Sequence, residues 1–243
     1  MKWHSESLDS IIKELRTDID KGLSTTEAAE RLKKYGPNKL KEKPPRTFFQ
    51  RFIEQMKNVM IGILLVAAAI SLGVSIYNHT QGLEADWIEP IVIVIIVLLN
   101  AILGVIQESR AEAALESLKK MTAPQTRVLR DSREQTIATA DLVPGDIVLL
   151  EAGDFIPADC RLIDSASLKS DEAALTGESV PAEKDAQANI EENAPLGDRL
   201  NMVYSGCAIS YGRCKAIVVE TGMNTEMGKI ATMLEQEGEA QTP

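Results

Sequence analysis

Residues 90–107 read Pro-Ile-Val-Ile-Val-Ile-Ile-Val-Leu-Leu-Asn-Ala-Ile-Leu-Gly-Val-Ile-Gln, a run without a charged side chain. A helix of about 20 mostly apolar residues crosses the roughly 30 Å hydrocarbon core of a membrane, so this run approaches the length of one span. A second run, Asn58–Leu83, is also uncharged, and it is almost wholly apolar from Val59 to Tyr77. A buried core helix is the alternative for either run, but two such runs joined by a short polar loop favour a pair of membrane spans.

The flanks of the two apolar runs differ in charge. The segment His79–Glu89 between the runs contains acidic residues but no Lys or Arg. The basic residues of the outer flanks are Lys33, Lys34, Lys39, Lys41, Lys43, Arg46, Arg51, Lys57, Arg110, Lys119 and Lys120. The positive-inside rule therefore predicts that both termini are cytoplasmic and that a small loop lies outside. We expect an integral membrane protein in contact with the lipid bilayer, in the plasma membrane of a prokaryote or otherwise in the endoplasmic reticulum.

Helical periodicity extends beyond both apolar runs. The second run continues in period through Glu108–Met121, and a helix from Ile88 to Met121 would be about 50 Å long, with roughly 20 Å outside the membrane. Such a stalk is suited to carrying movement into the membrane, although a long helix without a mechanical role is the alternative. Before the first run, an apolar stripe indicates an interfacial helix on the cytoplasmic leaflet; its members are Phe48, Phe49, Phe52, Ile53 and Met56.

The remaining sequence predicts soluble structure on both sides of the apolar runs. The first forty residues read as two helices separated at Gly22, the second opening on a capping box at Ser24–Glu27 and ending at Gly36. A basic linker, Lys39–Arg46, follows. After Pro124 the apolar period changes to two, which indicates strands. The predicted strands are Arg127–Arg130, Gln135–Ala138, Ile147–Glu151 and Cys160–Ile163, with a hairpin of Met202–Ile209 and Arg213–Glu220 around Tyr211-Gly212 and a final helix over Asn224–Glu235.

The sequence thus predicts an α+β membrane protein fragment: two long transmembrane and stalk helices, and a mostly antiparallel β-domain with flanking N- and C-terminal helices. The predicted divisions are 1–43 (N-terminal helices), 44–57 (interfacial helix), 58–78 (first transmembrane helix), 79–87 (extracytoplasmic loop), 88–107 (second transmembrane helix), 108–123 (cytoplasmic stalk), 124–223 (β-domain) and 224–243 (a helix leading to a third span).

Charge and cysteine content exclude some classes of function. The net charge of -10 argues against a nucleic-acid partner, because phosphate contacts need clustered Lys and Arg. Cys160, Cys207 and Cys214 lack the spacing of metal ligands, and three cysteines cannot all pair. We expect them to pack in the interior of a domain in a reducing, cytoplasmic setting.

Several short phrases then line up in order along the chain. They are Tyr35-Gly36-Pro37-Asn38, Asn100–Gly104 with Gln107-Glu108, Leu142–Val148, Gly153-Asp154 with Pro157-Ala158-Asp159, Leu175-Thr176-Gly177-Glu178-Ser179, Gly206, Thr221-Gly222 and Thr225–Ile230. Together they resemble the N-terminal quarter of a type II P-type ATPase, most like the calcium-transporting ATPases. The resemblance covers nearly the whole chain. It implies that residues 1–43 and 124–223 form an actuator domain and that the first two membrane helices accompany it.

The resemblance also implies a catalytic loop. In this family the glutamate of Thr-Gly-Glu-Ser helps water attack an aspartyl phosphate, and this role maps onto Glu178. Gly177 would let the backbone approach the phosphate without a side-chain clash. Thr176 and Ser179 would either donate hydrogen bonds to phosphate oxygens or fix the loop. Without the other matching phrases along the chain, a glycine beside small polar and acidic residues would indicate only a solvated turn.

The aspartates of the other phrases indicate a structural role in turns rather than a metal site. Asp146, Asp154 and Asp159 follow turn signals, and we expect them to accept hydrogen bonds from nearby backbone amides. A divalent-metal cluster is the alternative, but the spacing is not that of a calcium loop. We therefore predict no metal and no cofactor site in this chain.

The resemblance implies a larger enzyme with further partners. The full-length parent would use ATP and magnesium, and its partners would be its own phosphorylation, nucleotide-binding and remaining transmembrane domains and the transported cation. The chain contains no Asp-Lys-Thr-Gly-Thr sequence, so alone it should be inactive. Lys57 and Asn58 stand where animal calcium pumps carry adjacent acids, which leaves sodium with potassium, or protons, as alternative cargo. The alternative to an enzyme is a non-enzymatic, membrane-anchored module that regulates a partner pump.

Overall fold

A computed structural model of the chain describes residues 2–41, 47–84, 87–121 and 124–239. These residues fall into two compact units, one within 1–42 and 123–243 and the other within 43–122. Residues 42–46 of the predicted linker, Asp86 of the predicted outer loop and the chain end from 240 onward lie outside the described residues.

The described residues form seven α-helices and seven β-strands. The helices are α1 (Leu8–Leu15), α2 (Thr25–Tyr35), α3 (Phe48–Met56), α4 (Val59–Thr80), α5 (Ile88–Met121), α6 (Ala173–Thr176) and α7 (Glu226–Glu239). The strands are β1 (Gln125–Arg130), β2 (Arg133–Ala138), β3 (Ile147–Glu151), β4 (Asp159–Asp171), β5 (Ala182–Lys184), β6 (Met202–Val203) and β7 (Ala208–Glu220). The result is the predicted α+β fold with two long apolar helices.

The unit within residues 43–122 consists of α3, α4 and α5. Both α4 and the apolar part of α5 are long and apolar enough to cross a membrane, and α5 runs without a break over its 34 residues, as predicted. Ile61 of α4 packs with Val97 and Ala101 of α5 in a small buried cluster. Next to it, Arg51 of α3 forms an ion pair with Glu112 of α5. Phe52 and Met56 of α3 also pack against the apolar cluster, so α3 is held to the two long helices by both apolar and charged contacts.

The other unit is built on one sheet with the order β2-β1-β3-β7-β4-β5, and β6 pairs with β4 outside this path. Every strand pairing in the described part of the chain is antiparallel, which agrees with the predicted β-domain. β3 has the predicted bounds, and β1, β4 and β7 contribute fully buried residues such as Val128, Leu162 and Ile217. Burial of these branched side chains is the main source of the domain's stability.

The predicted hairpin around Tyr211-Gly212 is wrong. β7 passes through both residues as a single strand from Ala208 to Glu220, and it pairs with β4 on one side and β3 on the other. Gly212 has a φ of +84°, and a Cβ there would lie 2.4 Å from the carbonyl oxygen of Ala166 on β4. The glycine therefore permits a close backbone approach within a strand, where the sequence pattern suggested a turn.

β4 is much longer than the predicted Cys160–Ile163. It continues to Asp171 through the polar residues Asp164 and Ser165, because register shifts between Leu162 and Asp164 and again after Ala166 keep it paired with β7. A bulged strand loses the strict alternation of apolar and polar residues, so the sequence did not reveal it. The final helix, α7, begins two residues later than predicted, after a 3-10 turn at Gly222–Asn224.

Asn38 ties the end of the N-terminal segment to the rest of its unit. The side-chain amide of Asn38 donates to the carbonyl oxygens of Thr139 at 3.0 Å and Pro157 at 2.8 Å, and its oxygen accepts from the backbone of Gly222 at 2.8 Å. These three contacts reach three separate parts of the domain. They give the Tyr-Gly-Pro-Asn phrase a structural purpose.

All three cysteines are free and buried in this unit. Burial raises the pKa of the Cys207 and Cys214 thiols to about 12, and it raises the pKa of Cys160 as well. Since the thiolate is the reactive form of cysteine, these side chains are inert packing groups.

Candidate functional site

The Thr-Gly-Glu-Ser sequence lies in the connection between β4 and β5. These two strands form an antiparallel pair in which Lys169 lies opposite Glu183 and Ser170 lies opposite Ala182. The connection runs from Glu172 through α6 to Pro181. We call residues 172–181 the hairpin loop. Its ends are fixed by the sheet, so the candidate residues lie on a short connection with defined bases.

Thr176 closes the first part of the hairpin loop. It is the last residue of α6, and its hydroxyl donates to the carbonyl oxygen of Glu172 at 3.1 Å. The same hydroxyl oxygen accepts a hydrogen bond from the backbone amide of Glu178 at 3.3 Å. A threonine hydroxyl can serve as donor and acceptor at once. Thr176 therefore fixes the loop internally.

Gly177 ends α6 in the left-handed conformation, with a φ of +77°. Few residues other than glycine adopt this region without strain. A Cβ built on Gly177 would meet no atom of the described residues within 4 Å, so the backbone on this side is open. The position therefore combines a required glycine with space for an approaching group.

Glu178 and Ser179 are exposed, and so is the next residue, Val180, at 76%. Within the described residues, no hydrogen bond or ion pair engages the Glu178 carboxylate. An exposed carboxylate next to an open glycine backbone can accept a proton from water or orient a water molecule toward an electrophile. The structure thus brings Thr176, Gly177, Glu178 and Ser179 together on one turn.

Two residues at the base of the hairpin loop were missed by the sequence analysis. Lys184 of β5 and Glu172 form an ion pair in which the Nζ to Oε1 distance is 2.7 Å. The two side chains are 0% and 2% exposed. The only signal in the sequence is the alternation of Leu168, Ser170 and Glu172, which face the interior. That pattern is informative only after β4 has been traced to this point.

The three aspartates of the turn phrases accept backbone hydrogen bonds; the donors are nearby residues, as expected, for Asp146 and Asp154, but that expectation is wrong for Asp159. Asp146 accepts from the amide of Val143 at 2.9 Å, and Asp154 accepts from the amide of Glu151 at 2.9 Å. Asp159 reaches further, and its oxygens accept from Ser205 at 2.9 Å and from Glu226, the first residue of α7, at 2.8 Å. Among the described residues there is no group of three or more side chains that could hold a metal ion.

A cavity of about 410 Å³ lies in the same unit, but the hairpin loop does not line it. Its wall includes Lys2, Trp3 and Asp159. Lys2 is paired with Glu192 at 3.3 Å, and the indole nitrogen of Trp3 donates to Glu220 at 2.9 Å. These polar groups satisfy one another and hold the N-terminal turn on the sheet, which is a structural role.

One residue in the wall of this cavity, Asp159, has a raised pKa. Burial raises the pKa of Asp159 to about 6, although its two backbone hydrogen bonds act in the opposite direction. Because the folded protein binds this proton more tightly than the unfolded chain, the free energy of unfolding should fall as the pH rises from about 4 to about 6. The loss should approach about 3 kcal/mol. Thermal unfolding of the wild type and Asp159→Asn across pH 4–8 measures it.

The difference between these two proteins should follow one titration near pH 6, with the wild type gaining stability relative to Asp159→Asn on acidification. The asparagine can accept only one of the two backbone hydrogen bonds well, which adds a constant offset. A difference in melting temperature that does not vary with pH would contradict the assignment.

Two family models match the chain. One is described as the P-type ATPase actuator domain and matches residues 120–235; the other is described as the cation transporter/ATPase N-terminus and matches residues 3–71. The hairpin loop lies within the first match.

Curated relatives extend the similarity over nearly the whole chain. The chain is 44% identical to calcium-transporting ATPase 1 of Bacillus cereus, over 99% of this chain and 26% of that protein. It is 42% identical to a calcium-transporting ATPase of Listeria monocytogenes, over 92% and 24% respectively. It is 41% identical to a sodium/potassium exporting P-type ATPase of Schizosaccharomyces pombe, over 93% and 21%. The chain spans about a quarter of the length of these relatives.

Proposed function

The chain belongs to the P-type cation ATPases, of which it carries the N-terminal segment and the actuator domain, and we propose that its hairpin loop promotes hydrolysis of the aspartyl-phosphate intermediate of an ATP-driven cation pump. The observation that carries this proposal is the exposed Glu178 on a loop whose two ends are fixed by paired strands. We call the enzyme that would contain this chain the complete pump.

Glu178 would supply the chemistry of the hydrolytic step. Its carboxylate would take a proton from the attacking water, or orient that water, so that the water oxygen attacks phosphorus and the bond to the aspartate breaks. A positioned general base contributes about 10²–10⁴ in rate. Gly177 would allow the backbone to come close to the phosphoryl oxygens.

Thr176 has a supporting role in this proposal, because its hydroxyl already engages Glu172 and the amide of Glu178. The exposed Ser179 hydroxyl would be the donor to a phosphoryl oxygen. In the proposal, ATP and magnesium bind to other domains of the complete pump.

We further propose that α4 and α5 are the first two membrane helices and that both termini are cytoplasmic, as the distribution of Lys and Arg predicts. A long unbroken helix transmits displacement along its axis, which α5 would do between the membrane and the segment that leads to β1. Arg51 supports this role because its ion pair with Glu112 joins α3 to α5.

Calcium is the cargo that we propose first, because the bacterial relatives named above are calcium-transporting ATPases. A second candidate is sodium or potassium export, which is favoured by the name of the fission yeast relative. Protons, or a regulatory module without enzymatic activity, are the remaining possibilities.

The test is ion-dependent phosphorylation of the complete pump by labelled ATP, screened across calcium, sodium, potassium and pH. We expect an acid-stable phosphoprotein that forms only when calcium is present, and no phosphoprotein from this chain alone. Dependence on sodium would favour the second candidate. Failure to form phosphoprotein under every ion condition would refute the pump and favour the regulatory module.

A further inference from the structure

The base of the hairpin loop contains two ion pairs, whose β5 members, Glu183 and Lys184, lie on opposite faces of that strand. Lys169 of β4 and Glu183 of β5 pair on the outer face at 2.9 Å, and their side chains are 44% and 80% exposed. Glu172 and Lys184 pair on the inner face and are almost completely buried. Side chains alternate between the faces of a strand, which explains how neighbouring residues reach such different environments.

The buried pair has a closed environment. The Lys184 ammonium lies 5.6 Å from the centre of the Tyr204 ring and donates to the carbonyl oxygen of Arg199 at 3.4 Å. Burial raises the pKa of the Glu172 carboxyl, and the neighbouring Lys184 opposes that rise. Within the part of the chain that the structure describes, the two charges therefore have each other and a few neutral groups to replace the water that they lose.

Glu172 also organises the hairpin loop through its backbone. Its carbonyl oxygen accepts from the amides of Leu175 and Thr176, both at 2.9 Å, and from the Thr176 hydroxyl at 3.1 Å. The same Thr176 oxygen accepts from the amide of Glu178. One residue thus joins the buried ammonium of Lys184 to the backbone that carries the exposed carboxylate.

A buried ion pair is a poor source of stability, because the loss of hydration offsets most of the attraction between the charges. An apolar pair of similar volume would often serve as well. Its directional contacts do, however, fix geometry, and small displacements of a reacting group reduce rates strongly. The position of this pair directly beneath the hairpin loop is therefore informative.

We propose that the Glu172–Lys184 ion pair is a positioning device that holds the hairpin loop at one place on the sheet, so that Glu178 meets the phosphoryl group in a reproducible orientation. This inference rests on the proposed function. It assigns Glu172 and Lys184 as positioning residues, since neither touches the reacting atoms.

The experiment compares phosphoenzyme decay in four forms of the complete pump. Glu172→Gln with Lys184→Met removes the buried charges together and keeps the side-chain volumes. Lys169→Met with Glu183→Gln makes the same changes in the exposed pair between β4 and β5. Glu178→Gln and the wild type complete the set. Each is phosphorylated by labelled ATP, chased with unlabelled ATP and followed by acid precipitation.

We expect the buried-pair variant to form the same amount of phosphoenzyme at the same ion concentration as the wild type, and to melt within a few degrees of it. Its phosphoenzyme should decay about tenfold more slowly, because the loop samples more than one position. The exposed-pair variant should decay at the wild-type rate. A merely structural role for the pair would change the melting temperature and the amount of phosphoenzyme, but not this decay.

The outcomes separate the inference from its premise. Wild-type decay in the buried-pair variant, combined with slow decay in Glu178→Gln, overturns the positioning role and leaves the proposed function intact. Wild-type decay in Glu178→Gln defeats the proposed function itself. If the buried-pair variant does not fold, the decay rate of a single variant, Lys184→Arg, tests the positioning role instead. Its longer, planar group keeps the charge but displaces the Glu172 carboxylate, so slower decay supports the inference and unchanged decay contradicts it.

Discussion

Replacing Glu178 with glutamine in the complete pump should leave formation of the aspartyl phosphate intact and slow its hydrolysis by about 10²–10⁴-fold. Glutamine has nearly the same shape as glutamate but cannot take a proton from water. The side chain is exposed, and no described residue engages its carboxylate, so the substitution should not disturb the fold. The effect should therefore appear in one step of the cycle alone.

The measurement is the decay of acid-stable phosphoprotein after an unlabelled chase, together with steady-state ATP hydrolysis. Glu183→Gln is the matched control, because it removes another exposed carboxylate only a few residues along the chain, on β5. We expect the control to decay like the wild type. Equal decay rates in the wild type and in Glu178→Gln would remove Glu178 from the mechanism.

Replacing Asp146 with alanine should cost about 3–5 kcal/mol in the free energy of unfolding. The Arg130 guanidinium donates to the two oxygens of Asp146 at 2.8 and 2.6 Å, and the Asp146 side chain is 0% exposed. Without Asp146, a positive charge would remain buried next to Val143, whose amide would also lose its acceptor. An uncompensated buried charge is among the largest single effects on stability.

Asp154→Ala provides the matched control for this loss. Asp154 also follows a glycine and accepts a backbone hydrogen bond from Glu151, but its side chain is 40% exposed and its ion pair with Arg127 is longer, at 3.5 Å. Exposed pairs contribute about 0–1 kcal/mol. Denaturant unfolding of both variants should therefore separate them clearly. Similar losses for the two aspartates would show that burial of the Arg130 pair does not matter.

The sequence predicted those features whose cause is local. The long helices follow from uninterrupted apolar runs, and β3 has the predicted bounds because Ile147–Glu151 lies between turn signals. The hydrogen bonds from backbone amides to Asp146 and Asp154 were also expected, since they join residues three apart. In each case the pattern and the structure involve the same few neighbouring residues.

The features that were missed depend on pairing between distant segments. Arg130 and Asp146 meet because β1 pairs with β3, and Glu172 and Lys184 meet because the hairpin loop closes. Gly212 was interpreted as a turn, whereas it permits the close approach of β4 within a continuous strand. Similarly, the bulges that keep polar residues of β4 in the sheet have no periodic signal. The candidate loop could be located from the sequence, but what supports it could not.

The burial of all three cysteines has a practical consequence for spectroscopy. Cys160, Cys207 and Cys214 are protected by packing and by their protonated thiols, so maleimide reagents at neutral pH should leave the native domain unlabelled. A single cysteine introduced at the exposed Val180 would then carry the only fluorophore or spin label in the native background. Such a label would report on the hairpin loop of this domain without prior removal of its three native cysteines.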